Sequence, residues 1–525
     1  MRFACIVAVA ILSALANGPS AVAAPASQEI VRIAFIPLDD RPATELFPQQ
    51  VAAICGAQLE LPPQRLLGHF TTPGDADALG RWLLDLDTRA LSSVVISSDM
   101  LAYGGLVASR TPETPIADAR ARLRVLSRFH EAHPSLPIYV FGTIMRLAPT
   151  ETPESEPYLE ALTNYARLAG ATHLTADDKA ALAESRAKIP DRAFWDYIGA
   201  RARDLETDEQ LITLAAKGDI SWLAITQDDA GSPDGLQATE QRRLIALASQ
   251  LGASGHVLFN PGADEMGMVV VTRATEDAFG WSPRVRIQYS SPRGPQLQDP
   301  LEDVPVGQTI ETLASALRAP VVSSGQDFTL DVFTPLTPVE MRSYYFSRLA
   351  RRLHDGEPIA LADITFIDDD IGEERVEPEA LQGAGVAALP LSFASWNTTA
   401  NTVGTALSSG ACAALAHHFG RPAPDAQATF LFDRYVDDYA YRLLVRPELN
   451  ADLRSAGFDT YALGSASDYA ESQVRHLLWP LAVDWFDTNF APAGWKQSEL
   501  SMYLPWQRTF EVQIDAALTQ RAVTP

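Results

Sequence analysis

Cysteine is scarce, with three residues in 525: Cys5, Cys55 and Cys412. That excludes a disulfide-scaffold fold. No C-x-x-C, lipobox or zinc-type cluster occurs. Cys55 and Cys412 can form one bridge at most, and the apolar, helix-like setting of Cys55 reads as buried and inert. Positive charge is short as well. Lys and Arg total 41 against 66 Asp and Glu, a net charge of −25. A nucleic-acid partner or an anionic membrane surface needs the opposite sign; a neutral or cationic ligand fits the charge better, and a small molecule or glycan is the expected partner. After the N-terminal segment no apolar run reaches membrane-spanning length. There is no G-x-S-x-G and no Walker A pattern. Gly383-Ala384-Gly385-Val386-Ala387-Ala388 has dinucleotide-loop spacing, but it precedes a strand instead of following one. No organic cofactor is implied. His130 and His133 lack a third ligand nearby, and Asp368-Asp369-Asp370 lacks the spaced pattern of a calcium loop and reads as a solvated turn.

The hydrophobic share is 47% and the charged share 20%, an ordinary globular balance in a chain too long for one small domain. Met1-Arg2, an apolar run over Phe3 to Ala16, a breaker at Asn17 to Ser20 and Ala21-Val22-Ala23 form a secretory signal pattern over residues 1–24. The expected location is therefore periplasmic or secreted, with no membrane span.

Short apolar, β-branched runs then recur, each closed by a polar or acidic cluster. They lie at Val31 to Leu38, Ser93 to Ser97, Pro137 to Phe141, Trp222 to Thr226, His256 to Phe259, Val285 to Tyr289, Phe328 to Phe333, Pro358 to Ala362 and Ala388 to Phe393. Nearly continuous apolar runs imply strands buried on both faces, as in parallel sheets. Amphipathic helical patterns separate them, at Asp75 to Thr88, Ile116 to Ala132 and Leu236 to Leu251. The fold class is α/β, built from parallel β-α units. Two closures satisfy the pattern: a (β/α)8-like barrel, or two doubly wound sheets. The expected organisation is an α/β domain over 30–290 with a helical insertion at 150–219, a second α/β unit over 308–420, and a mainly helical region over 421–525. No internal repeat occurs.

Acids close many of these runs: Asp39, Asp40, Asp99, Asp228, Asp229, Asp264 and Glu265. Parallel strands would gather them on one face, where ligands bind in open sheets and barrels alike. A single acid there often caps the next helix; acids at several strand ends argue for a site. Asp228-Asp229 is the sharpest candidate. Neighbours in a strand point to opposite faces, so two adjacent acids share a site only where the pleat ends. A carboxylate pair is what glycosidic cleavage requires, and adjacent acids suit the substrate-assisted variant. Arg41 and Arg146 also follow strands. Trp396, Asn397 and Asn401, after the Leu389 to Phe393 run, have the composition of a sugar platform: an apolar ring with amides and hydroxyls around it.

The motifs Ile36-Pro37-Leu38-Asp39-Asp40-Arg41-Pro42, Ser98 to Arg110, Thr143 to Thr150, Gln227-Asp228-Asp229-Ala230, Pro261 to Glu265 and Trp396 to Thr405 identify the chain as a member of a bacterial family known as domain of unknown function 4127. That resemblance implies no chemistry. A more local one does. An apolar strand ending in Asp-Asp resembles the catalytic pair of family 84 glycoside hydrolases, which act on N-acetylhexosaminides from a (β/α)8 barrel. It implies that Asp228 polarises the acetamido group and Asp229 is the acid/base. Gly262-Ala263-Asp264-Glu265 is similar to the Gly-Gly-Asp-Glu of family 20 hexosaminidases, with Ala263 departing from it.

The expectation is thus an exported carbohydrate-active hydrolase. Asp228 and Asp229 are its catalytic pair; Asp39, Asp40, Arg41, Asp99, Arg146, Asp264, Glu265, Trp396, Asn397 and Asn401 are its substrate-binding residues. Two alternatives stand beside it: a hydrolase whose same carboxylates hold Mg²⁺ or Ca²⁺, and an exported glycan- or solute-binding protein without turnover.

Overall fold

A strand without a polar face must be covered on both sides. The computed structural model, which describes residues 30–231, 233–365 and 377–520, meets that demand with two parallel sheets. The expected leader, Ser232 and the Asp368-Asp369-Asp370 run lie outside the described residues. The first sheet holds β1 (Arg32–Ile36), β2 (Gln58–Glu60), β3 (Ser93–Ser97), β4 (Ile138–Ile144), β5 (Trp222–Gln227) and β6 (Val257–Pro261). Their order is β2-β1-β3-β4-β5-β6, parallel throughout. The order reverses between β1 and β3, and such a switch point opens a crevice at the carboxyl ends. The second sheet holds β7 (Val285–Tyr289), β8 (Phe328–Phe333), β9 (Ile359–Asp363) and β10 (Ser392–Ala394), in the order β10-β9-β8-β7, again parallel. Of the two closures the sequence allowed, the strand pairing is that of two sheets.

The period-two alternation of β1 shows how both faces are covered. Ile33 and Phe35 enter one core with Val51, Met268 and Val271, whereas Ala34 and Ile36 enter another with Leu79, Leu123 and Leu244. The first of these cores continues into the second sheet through Leu330, Val332 and Ala360. Its spine is the helix Thr399–His418, with all but its last two residues buried. A helix buried all round needs small side chains where neighbours press closest. A Cβ at Gly404 would stand 2.5 Å from the Glu265 Cγ, and one at Gly410 would stand 2.9 Å from the Ala360 Cβ. Cys412 on this helix is bonded to Cys55, just past the helix Leu46–Ile54.

Between β4 and β5 the chain forms the helices Leu159–Ala169, Ala176–Lys188 and Asp191–Lys217. After residue 421 it is mainly helical up to Asn489, including a π-helical stretch at Tyr435–Val445, and then forms an antiparallel ribbon, β11 (Trp495–Tyr503) with β12 (Gln513–Gln520). The ribbon escapes the apolar-run pattern because most of its residues are at least partly exposed. Among the described residues no helix is long and apolar enough to cross a membrane.

The Cys55–Cys412 bond spans 357 residues of sequence. Cross-linking so long a loop restricts the unfolded chain, and native disulfides of this kind contribute about 2–5 kcal/mol. Cys55→Ser is therefore expected to lower the guanidinium midpoint, and reductant should lower the wild-type midpoint in the same way. Coincident unfolding curves for wild type and variant would refute the stabilising role.

Candidate functional site

The carboxyl ends of β1, β5 and β6 and the segment after β10 converge on one cleft of about 220 Å³, lined among others by Arg41, Arg110, Arg146, Asp228, Asp229, Asp264 and Asn397. A narrow inner extension reaches Gly262, Ala263 and Asn401. A wider groove of about 1040 Å³ lies elsewhere, between the helices Ile116–Ala132, Asp191–Lys217 and Leu236–Gln250. Surface charges of both signs line it and none of the strand-end acids reaches it.

Asp228, Asp229 and Asp264 of the cleft each meet a guanidinium. Arg41 holds two carboxylates. Its Nε and Nη2 donate to Asp39 at 2.9 and 2.7 Å, and its Nη1 and Nη2 donate to Asp264 at 2.9 and 2.7 Å. Burial works to raise the Asp39 carboxyl, but the Arg41 charge and the hydrogen bonds from Arg41 and Thr44 outweigh it and hold Asp39 below the usual carboxylate range. Asp264 shares the same arginine, yet burial wins there and its carboxyl is raised. Arg110 pairs with Asp228. Arg146 donates to Asp229 at 2.8 Å and is braced by the carbonyls of Ala148 and Pro149.

Asp229 has a φ of 38°. This left-handed turn directly after β5 ends the pleat, so both members of the pair line the cleft instead of facing opposite sides. Asp228 is 8% exposed. Burial raises its carboxyl against the opposing pull of Arg110, and the neighbouring Asp229 charge adds to the rise.

The remaining expected residues divide by position. Asn397, with a φ of 50°, lines the cleft and donates to Asn401 at 2.7 Å. Asn401 belongs to the capping box of the helix Thr399–His418 and donates to Glu265 at 2.6 Å. Glu265 is sealed beneath Gly262, where a Cβ would stand 2.1 Å from its Oε1, and burial pushes its carboxyl up to about 8. Asp99 is also beneath the cleft. It accepts from the N–H and hydroxyl of Thr143, both at 3.1 Å, and burial pushes it up to about 6. Asp40 faces the C-terminal region, accepting from Trp506 Nε1 at 2.7 Å and contacting His69 at 2.8 Å.

Trp396 is a correction. It is 1% exposed, its indole N–H donates to Thr405 at 3.1 Å, and Phe47 packs edge-on against it. A Thr/Asn-rich segment around a tryptophan describes a helix cap over a core ring as well as it describes a sugar platform. The aromatic groups at the cleft are Tyr461, Trp506 and Phe510. Trp506 packs between guanidiniums, with Arg41 at 5.0 Å and Arg508 at 4.5 Å from the ring centre. These residues, with Arg110 and Arg508, were not singled out from sequence. The density of aromatic and basic side chains in Trp506-Gln507-Arg508-Thr509-Phe510, between β11 and β12, was the available signal.

Among the described residues no three His, Cys, Asp or Glu side chains come together as a metal-binding group. The architecture defines an α/β protein with an ion-paired cleft at the carboxyl ends of a parallel sheet. The chain belongs to the family described as "Protein of unknown function (DUF4127)", which it matches over residues 33–515. No curated protein matches it.

The buried acids give stability a defined pH dependence. A carboxyl raised by folding binds its proton more tightly in the folded state, so stability falls as pH rises through the window between its unfolded and folded values. For Glu265 that window runs from 4.5 to about 8, and for Asp99 from 3.8 to about 6. The melting temperature is expected to be higher near pH 6 than near pH 8, and Glu265→Gln should shrink the difference. A melting temperature that climbs across that interval in the wild type would overturn the assignment.

Proposed function

We propose that this protein is an exported carbohydrate-active hydrolase that cleaves a glycosidic bond next to an acetamido group, with Asp228 and Asp229 as its reacting pair. The observation that carries the reading is the left-handed turn at Asp229, which brings two adjacent carboxyl groups to one cleft, each with its own arginine. Substrate-assisted cleavage needs one carboxyl that holds a proton and one carboxylate that orients the acetamido N–H. The local resemblance gave the proton to Asp229. Burial favours Asp228 for that role, because its carboxyl is raised. The Asp229 side chain is 28% exposed and fixed in direction by Arg146.

Asp228 then passes its proton to the glycosidic oxygen as the bond to the anomeric carbon breaks. The acetamido oxygen forms the new bond to that carbon, and Asp229 supports the N–H. Water attacks the anomeric carbon next, the acetamido group is released, and the water's proton returns to Asp228. The cleft volume suits a group of monosaccharide scale, and Tyr461 and Phe510 give it apolar edges. The reading with a divalent metal gains no support from these residues, since guanidiniums already occupy the carboxylates a cation would need. Export is supported by the buried Cys55–Cys412 bond, which belongs to an oxidising compartment.

The test is hydrolysis of a panel of aryl N-acetylhexosaminides and peptidoglycan fragments, with and without EDTA. Asp228→Asn and Asp229→Asn are each expected to lower kcat by about 10²–10⁴-fold with KM little changed. Activity should decline on the alkaline side as Asp228 loses its proton, at a pH above the usual carboxylate range. Losses under about tenfold in both variants would sink the assignment. Tight sugar binding without product would make this a binding protein.

A further inference from the structure

Four guanidiniums, from Arg41, Arg110, Arg146 and Arg508, line one small cleft in a chain whose net charge is −25. Three of them are committed, Arg508 through Nε and Nη2 to Glu511. Arg41 gives Nε, Nη1 and Nη2 to Asp39 and Asp264, and Arg146 gives Nε, Nη1 and Nη2 to Ala148, Asp229 and Pro149. Arg110 differs. Its Nη2 meets Asp228 and its Nη1 has a 3.4 Å contact to Thr150, but its Nε is buried and has no hydrogen-bond partner. The side chain is only 7% exposed. A buried charged donor left unmade is costly, so such a position calls for an acceptor.

The surroundings decide the kind of acceptor. Burial lowers the Arg110 value; the charges of Asp228 and Asp229 oppose that fall, and those of Arg146 and Arg41 add to it. If Asp228 holds a proton, as the proposed reaction requires, the carboxylate opposite Arg110 is neutral and positive charge is left over. Arg508 lines the same cleft with its charge paired. It is held by Glu511 at 2.8 and 2.6 Å and stacks on Phe510 at 5.0 Å. Arg446, from the next turn of chain beyond the π-helix, lies 4.9 Å from the same ring, and its value falls to about 10 through burial.

We propose that the sugar bound in this cleft carries an oxyanion, a carboxylate or a phosphate, which accepts from the Nε of Arg110 and faces Arg508. The proposal rests on the carbohydrate reading for the sugar and on Arg110 for the charge. The one open donor of Arg110 is Nε, and a charge-assisted hydrogen bond from it to either oxyanion is about twice as strong as one to a neutral hydroxyl.

The experiment is calorimetric titration of the full chain with glucuronate, glucose 6-phosphate, glucose, N-acetylglucosamine and inorganic phosphate. A charged sugar is expected to bind at least about tenfold tighter than its neutral counterpart. The carboxylate and phosphate arms show which oxyanion it is. Arg110→Gln should erase that preference, bringing charged and neutral sugars to within about twofold of each other. Should Arg110→Gln fail to fold, Arg508→Gln must weaken the same preference. Equal affinity for charged and neutral sugars, or a preference that survives both substitutions, would overturn the proposal and leave the carbohydrate reading standing. Arg110-dependent binding of inorganic phosphate with no sugar bound would uphold the anion site and overturn the carbohydrate reading. No binding of any probe would overturn the anion site.

Discussion

Arg41 is the constraint on which the cleft depends. It lies between Asp39 and Asp264, one from the end of β1 and one from the turn after β6, and all three side chains are nearly inaccessible. None could be buried as an ion alone. Removing one partner from such a set typically costs about 3–5 kcal/mol, because an uncompensated charge is left behind. The paired forks also fix angles as well as distances. The carboxyl ends of the first sheet are thereby held in register, and Asp228 and Asp229 are presented against a rigid edge. Trp506 lies over the same guanidinium and ties the C-terminal ribbon to it.

The second constraint is close approach at the centre of the molecule. The helix Thr399–His418 can serve both sheets because Gly404 and Gly410 leave room for Glu265 and Ala360. Its capped start places Asn401 on Glu265 and Asn397 at the cleft wall. Two further acids secure that start: the backbone N–H groups of Thr399 and Ala400 donate to Asp299 at 2.7 Å and Glu302 at 2.5 Å. The inter-sheet helix therefore contributes to the core and to the site through the same first turn.

The strands and their parallel pairing were legible because apolar runs with acidic ends leave few alternatives. So was the shared cleft of Asp228 and Asp229, since the pleat argument needs only two adjacent residues. What escaped reading was set by distance in the chain. Trp506 reaches Asp40 across 466 residues and Arg110 reaches Asp228 across 118. No local pattern announces such a pairing. Trp396 was misplaced for the opposite reason: its surroundings are locally informative, but caps and sugar sites use the same amides and hydroxyls. Glu265 looks like its neighbour Asp264 in sequence, and only its depth beneath Gly262 separates it from a residue that lines the cleft.

The bond between Cys55 and Cys412 also changes what a break in the chain can do. Most of the described elements, including the three helices between β4 and β5, lie within the loop it closes. A single peptide cleavage anywhere in that loop leaves one covalent molecule with both flanks of the cleft attached, Arg41 from before the loop and Trp506 from after it. Such a nick would change an electrophoretic band under reduction before it removed the site.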